Sequence, residues 1–263
     1  MLDPRELAEV AAAFGVSDAQ VRRDHLISHI LVAMADLVLP VTFFGGTALA
    51  RTHLSDPDAG ARLSEDIDLY TPQRRATVAV LDERLPQRLR REFPGTRWDP
   101  TLSAVRSTEP GQLVTRDGLR VRVQLLDSSR EHHDLAHWLT EDRAVTLRYS
   151  DLPGAAKLQV PMLESFAAMK TIAWADRRAA RDLYDLAGLA ARGALTADVA
   201  ARVHRATGWR VTRQTLRVSP ASNWDIQLAH QTRILPTAQR CLDTVLRSYA
   251  QALGWPLVQD PEV

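Results

Sequence analysis

Apolar positions recur at helical spacing through Val21, Leu26, Ile30, Leu31, Met34 and Leu37. The stretch Ser17-Asp18-Ala19-Gln20 ahead of them has the form of a capping box, so a long helix is expected to feed the chain into Pro40. A shorter helix is expected before it, because Asp3-Pro4-Arg5-Glu6 caps a start with proline at the first helical position and Gly15 ends it after Phe14. Val41-Thr42-Phe43-Phe44 then stops at Gly45-Gly46, the ending of a buried strand in a tight turn, and Thr47 to Arg51 read as the first turns of a helix. After a polar loop, Ser64 to Tyr70 reads as a second strand, in which Asp66 and Asp68 share one face while Ile67 and Leu69 point into a core.

Ala76 to Phe93 is helical in pattern, with Pro86 expected to bend or split it. From Arg97 to Tyr149 the pattern changes to strands, and Asp117-Gly118 between two alternating runs is a hairpin signal. The run Leu119 to Leu126 puts Arg120, Arg122 and Gln124 on one side and Val121, Val123 and Leu125 on the other. Beyond Asp151 the chain reads as helices, one starting at Pro161, one capped by Thr196 and a last one from Pro236 to Leu253. This shift divides the chain into a part over residues 1–150, with an N-terminal helical cap, and a helical part over 151–263.

Composition adds limits. With 263 residues, 45% hydrophobic and 25% charged, the chain is an ordinary globular one with room for one large domain or two. Its apolar runs fall short of a bilayer span and no signal segment opens it, so a cytoplasmic protein without a membrane partner is expected. The single cysteine, Cys241, agrees with a reducing compartment. A net charge of +1 shows no overall pull on nucleic acid. The basic residues are almost all arginine, and the only lysines are Lys157 and Lys170.

Two groups carry candidate chemistry. Gly45, Gly46 and Thr47 lie at a strand-to-helix turn, where free backbone N–H groups and a hydroxyl suit phosphate oxygens. Asp66 and Asp68 on one strand face repel unless a cation lies between them, and Mg2+ takes one or two carboxylates plus substrate phosphates. Together they form a minimal kit for phosphoryl or nucleotidyl transfer. A third group, Glu131-His132-His133-Asp134 with His137, has two histidines at helical spacing but no third ligand at a recognised interval, and a surface helix is expected there.

The residues Gly45, Gly46, Thr47, Ala48, Leu49, then Arg62, Ser64, Asp66, Ile67, Asp68 and Leu69 resemble the first motif of the AbiEii/AbiGii toxin family of nucleotidyltransferases, which includes MenT-type toxins. A lysine, an arginine-rich spacer and Arg181-Asp182-Leu183-Tyr184-Asp185-Leu186 are also typical of that family. The resemblance implies an α+β fold, a nucleotidyltransferase-like mixed sheet with flanking helices followed by a C-terminal helical subdomain that contributes to the cleft. It implies transfer of a nucleoside monophosphate from a nucleoside triphosphate to an acceptor, the 3′ end of tRNA in MenT-type toxins, and a cognate antitoxin as partner. It assigns catalysis to Asp66, Asp68, Lys170 and Asp182, metal binding to Asp66 and Asp68, and substrate binding to Gly45, Gly46, Thr47, Arg62, Ser64 and Asp185. Related nucleotidyltransferases often carry a third carboxylate where Gln124 falls here, and glutamine ligates a second Mg2+ poorly. A member that binds nucleotide or RNA without turnover, and an enzyme with a protein or small-molecule acceptor, are the rival readings. Read from the residues alone, Arg178 with Asp182 and Arg181 with Asp185 are i,i+4 pairs on a solvated helix, and Lys170 faces away from the core.

Overall fold

The computed structural model describes residues 1–127, 138–217 and 223–256, which places the Glu131 to His137 histidine group outside the described residues. The chain divides into two units: Met1–Met162 with Ala229–Ile234, and Leu163–Leu228 with Leu235–Val263.

The first unit is built on a seven-stranded mixed sheet. Its strands are β1 (Thr42–Phe44), β2 (Asp66–Thr71), β3 (Arg97–Trp98), β4 (Gly111–Val114), β5 (Arg120–Asp127), β6 (Thr140–Ala144) and β7 (Lys157–Pro161), in the order β3-β4-β5-β2-β1-β7-β6. β2 runs parallel to β5 and antiparallel to β1, so the strand that carries the two aspartates is central. The hairpin between β4 and β5 forms as expected, with Gly118 at φ +89°. Alternation decides the faces: Ile67, Leu69, Val121, Val123 and Leu125 are fully buried, each contributing roughly 1.5–3 kcal/mol of burial.

Helices cover this sheet. α1 (Pro4–Phe14) is capped by the Asp3 side chain and ended by Gly15 in the left-handed region, and α2 (Asp18–Leu37) is capped by Ser17. α2 is apolar on more than one side and packs on α1, on β5 and on α4 (Arg74–Leu89). α3 (Gly45–Thr52) lies on β1 and β2. α4 is not split at Pro86: the helix carries the proline within its final turn and runs on to Leu89. The helical reading after Asp151 misses β7, a five-residue run that pairs with β1 and β6. Pro161 ends that strand and does not start a helix. Ala229–Ile234 returns to the first unit, where the Leu63 N–H donates to the Gln231 carbonyl at 2.8 Å and the Thr232 hydroxyl to the Ala61 carbonyl at 3.1 Å.

The second unit is helical: α5 (Leu163–Arg177), α6 (Ala180–Ala191), α7 (Ala197–Thr207), α8 (Arg213–Leu216), α9 (Trp224–Leu228) and α10 (Ala238–Leu253). Its core holds Phe166, Trp174, Leu183, Leu186 and Tyr249. The polar tips are satisfied inside, since Trp174 Nε1 donates to the Leu216 carbonyl at 3.0 Å and the Thr171 and Tyr249 hydroxyls lie 2.7 Å apart. Among the described residues, no helix is long and apolar enough to cross a membrane.

Candidate active site

The turn from β1 into α3 requires its two glycines for different reasons. Gly45 has φ +77°, and a Cβ there would lie 2.0 Å from Asp68 Oδ2. A Cβ on Gly46 would lie 2.2 Å from Arg62 Nη2. The carboxylate and the guanidinium therefore rest directly on the glycine backbone, at the N-terminus of α3. Thr47 does not face outward as expected. It is buried, and its hydroxyl donates to the Asp66 carbonyl, so the proton ties α3 to β2.

Arg62 and Ser64 are buried in the approach to β2. Arg62 Nη1 donates to Gln231 Oε1 at 2.7 Å, and the neighbouring Leu63 carbonyl accepts from Gln20 Nε2 at 2.8 Å. Behind the turn, Arg51 on α3 forms a buried ion pair with Asp24 of α2 at 2.5 Å and donates to Ser28 Oγ at 3.0 Å. The Tyr149 hydroxyl donates to the second Asp24 oxygen at 2.8 Å, and burial followed by that carboxylate pushes the phenol far above its ordinary pKa. This network fixes α3 against α2 and has no signature in the sequence.

Asp66 and Asp68 share one face of β2 and are both partly exposed. The parallel register sets Asp66 beside Arg122 and Asp68 beside Gln124. Arg122 grips Asp66 with both arms, Nε to Oδ1 at 2.8 Å and Nη2 to Oδ2 at 2.7 Å, and the carboxylate raises the guanidinium pKa further. The strand alternation that put Arg122 and Gln124 on one side held the signal for this contact, but only the register discloses the partner. Gln124 Nε2 donates to the Thr108 carbonyl at 3.0 Å. The hard oxygens of Asp66 and Asp68, facing one way beside a helix N-terminus, fit Mg2+ as a donor set, with Arg122 as the cation already on one of them.

In the second unit, Lys170, Asp182 and Asp185 come together, and the reading of them as a solvated face is corrected. All three are buried. Lys170 Nζ lies 3.0 Å from Asp182 Oδ1 and 2.7 Å from Asp185 Oδ2, and Arg177 donates to both Asp182 oxygens, at 2.5 and 2.8 Å. Burial alone would raise the Asp182 carboxyl, but Lys170 and Arg177 hold it well below the usual carboxylate range. The packing of α5 on α6 turns these charges inward, which an i,i+4 count along one helix cannot show.

Similarity to known proteins follows the fold. MenT4, a nucleotidyltransferase toxin from Mycobacterium tuberculosis H37Rv, superposes with a TM-score of 0.63 at 20% identity, over 94% of this chain and 89% of its own. A putative nucleotidyltransferase from H. pylori gives 0.54 at 16% identity over 90% and 96%, and JHP933 from Helicobacter pylori gives 0.52 at 16% over 90% and 93%. No curated protein matches the chain in sequence. Residues 29–252, which span both units, match the family described as nucleotidyl transferase AbiEii toxin, type IV TA system, and the chain therefore belongs to the AbiEii toxin family.

Proposed function

We propose that this chain transfers a nucleoside monophosphate from a nucleoside triphosphate to the 3′ end of tRNA, as the toxin of a pair whose antitoxin restrains it in the cytoplasm. The observation that carries the transfer reading is the Asp68 carboxylate resting on Gly45, on the same strand face as Asp66 and beside the first turn of α3. Asp66 and Asp68 would hold Mg2+, which when bound shields the triphosphate and stabilises charge on the leaving pyrophosphate. The α3 N–H groups at Gly46 and beyond receive phosphate oxygens, and Arg62 and Ser64 line the approach. Asp66 has to release Arg122 before it serves a metal, and the freed guanidinium is then a bidentate donor for a phosphate. Lys170 and Asp182 are assigned to catalysis, and Asp185 to substrate binding, by the family resemblance, with Asp182 and Asp185 orienting the ammonium. The tRNA acceptor also rests on that resemblance.

A second reading, nucleotide or RNA binding without turnover, is favoured by two observations: Arg122 already neutralises Asp66, and Gln124 stands where related enzymes carry a third carboxylate. Incubation with each labelled nucleoside triphosphate, Mg2+ and total tRNA decides. Label on tRNA supports the proposal, label on protein or a small molecule changes the acceptor, and no label with each nucleotide, despite measurable nucleotide binding, supports the second reading.

A further inference from the structure

His25, His29 and Asp151 converge, and His29 and Asp151 border a cavity that Arg88 and Leu89 of α4 also line. His25 and His29 are one helical turn apart and both buried, and Asp151 comes from the connection between β6 and β7. His25 Nε2 lies 3.2 Å from His29 Nε2 and 2.9 Å from Asp151 Oδ1, and His29 Nε2 lies 3.5 Å from that same oxygen. We infer that these three side chains form a Zn2+ site, independent of the transfer centre, that staples α2 to the β6–β7 connection.

The first argument is proton counting. A single ring nitrogen carries one hydrogen or one lone pair, yet His25 Nε2 faces both a carboxylate oxygen and another ring nitrogen. One of its two neighbours is poorly served in any tautomer, whereas a cation at the centre takes a lone pair from all three. The second is size. Ligands held about 2.0–2.2 Å from a tetrahedral zinc are about 3.3–3.5 Å apart, and the three edges here are 3.2, 2.9 and 3.5 Å. The third is chemistry: two imidazoles and one carboxylate suit zinc better than Mg2+, which prefers oxygen. Asp151 Oδ1 is the oxygen that lies within 3.5 Å of both histidines, and is the one presented to the metal. The rings of Phe93 and Tyr149 pack against His25 and wall the site. A cavity of about 370 Å³ bounded by His29, Asp36, Arg88, Glu92 and Asp151 provides the entry path and room for a water as fourth ligand.

The consequence lies one residue away. Asp24, which holds Arg51 on α3, precedes His25 on α2, so a metal here would stiffen the helix that supports the Gly45-Gly46 turn.

The test uses the full chain stripped with a chelator and titrated with Zn2+. One equivalent is expected to bind with a dissociation constant below ~1 μM and to raise the melting temperature. Co2+ in its place should give the strong visible absorption of a tetrahedral site. Asp151→Asn and His29→Gln keep shape and should each weaken zinc binding by ~100-fold or more, whereas Asp66→Ala should leave it unchanged. Absence of zinc binding by the folded parent chain, or full affinity in both Asp151→Asn and His29→Gln, overturns the inference. Cobalt absorption on the unmutated chain answers the question even where a variant fails to fold.

Discussion

The two groups of carboxylates in this molecule differ in what their surroundings let them do. Asp66 sits on a strand face with its side chain 23% exposed, and its partner Arg122 is 53% exposed. Asp182 and Asp185 sit inside the helical unit, at 1% and 4%, around an ammonium exposed by 8%. An exposed ion pair is worth ~0–1 kcal/mol and can exchange its cation for another at little cost. A buried one cannot, because removal of either member leaves a charge without solvent, which costs about 3–5 kcal/mol. The strand pair can thus change partners at little cost, whereas burial fixes the helical cluster.

The largest effect expected is on transfer. Asp66→Ala and Asp68→Ala should each reduce it by ~10³-fold or more while moving the melting temperature little. Retained transfer by either folded variant would remove the strand pair from the chemistry.

Lys170→Ala should, besides lowering transfer, destabilise the chain by about 3–5 kcal/mol, read by denaturant unfolding. Lys170→Arg, which keeps the charge, should recover part of the stability, and its transfer rate then reports whether a compact ammonium is needed for activity. A melting temperature unchanged in Lys170→Ala would show that the cluster is not the fixed structure described. The same cluster has a pH signature. The Asp182 carboxyl is depressed on folding, so its stabilisation is complete above the unfolded value near ~3.9 and is lost as pH falls through the lower folded value. Asp182→Asn should flatten the acid limb of the stability curve.

Gly45→Ala comes next, since a methyl would meet the Asp68 carboxylate and strain a positive φ. A displacement of that carboxylate by about 1 Å should lower transfer ~10²-fold. Unchanged transfer would show that Asp68 need not rest on the turn. The smallest effect belongs to Arg122→Gln. It should change stability by no more than ~1 kcal/mol and lower the Mg2+ concentration needed for half-maximal transfer. A loss of transfer as deep as that of Asp66→Ala would show that the Asp66–Arg122 pair works as a fixed unit and not as an exchangeable one.

Within the sequence, the features that could be read were local. Gly45-Gly46 after an apolar run, Asp66 and Asp68 two residues apart, the hairpin at Gly118 and the caps at Asp3, Ser17 and Thr196 each follow from backbone geometry within a few residues. The run that became β7 was missed because five residues ending in a proline give too short a pattern to separate strand from helix.

What the tertiary structure decided are contacts whose members lie far apart or on faces that a partner selects. Arg122 meets Asp66 across 56 positions because β2 and β5 pair in one parallel register, and a shift by one residue would have turned Arg122 away. Lys170 is buried because α6 covers the side of α5 that carries it, a choice no single helix can announce. His25 and His29 show helical spacing in the sequence, but Asp151 reaches them from 126 positions away. Residues that share a turn or a strand are placed by the rotation per residue of their own backbone, whereas these partners are placed by the packing that buries the most apolar surface, and that depends on the whole chain at once.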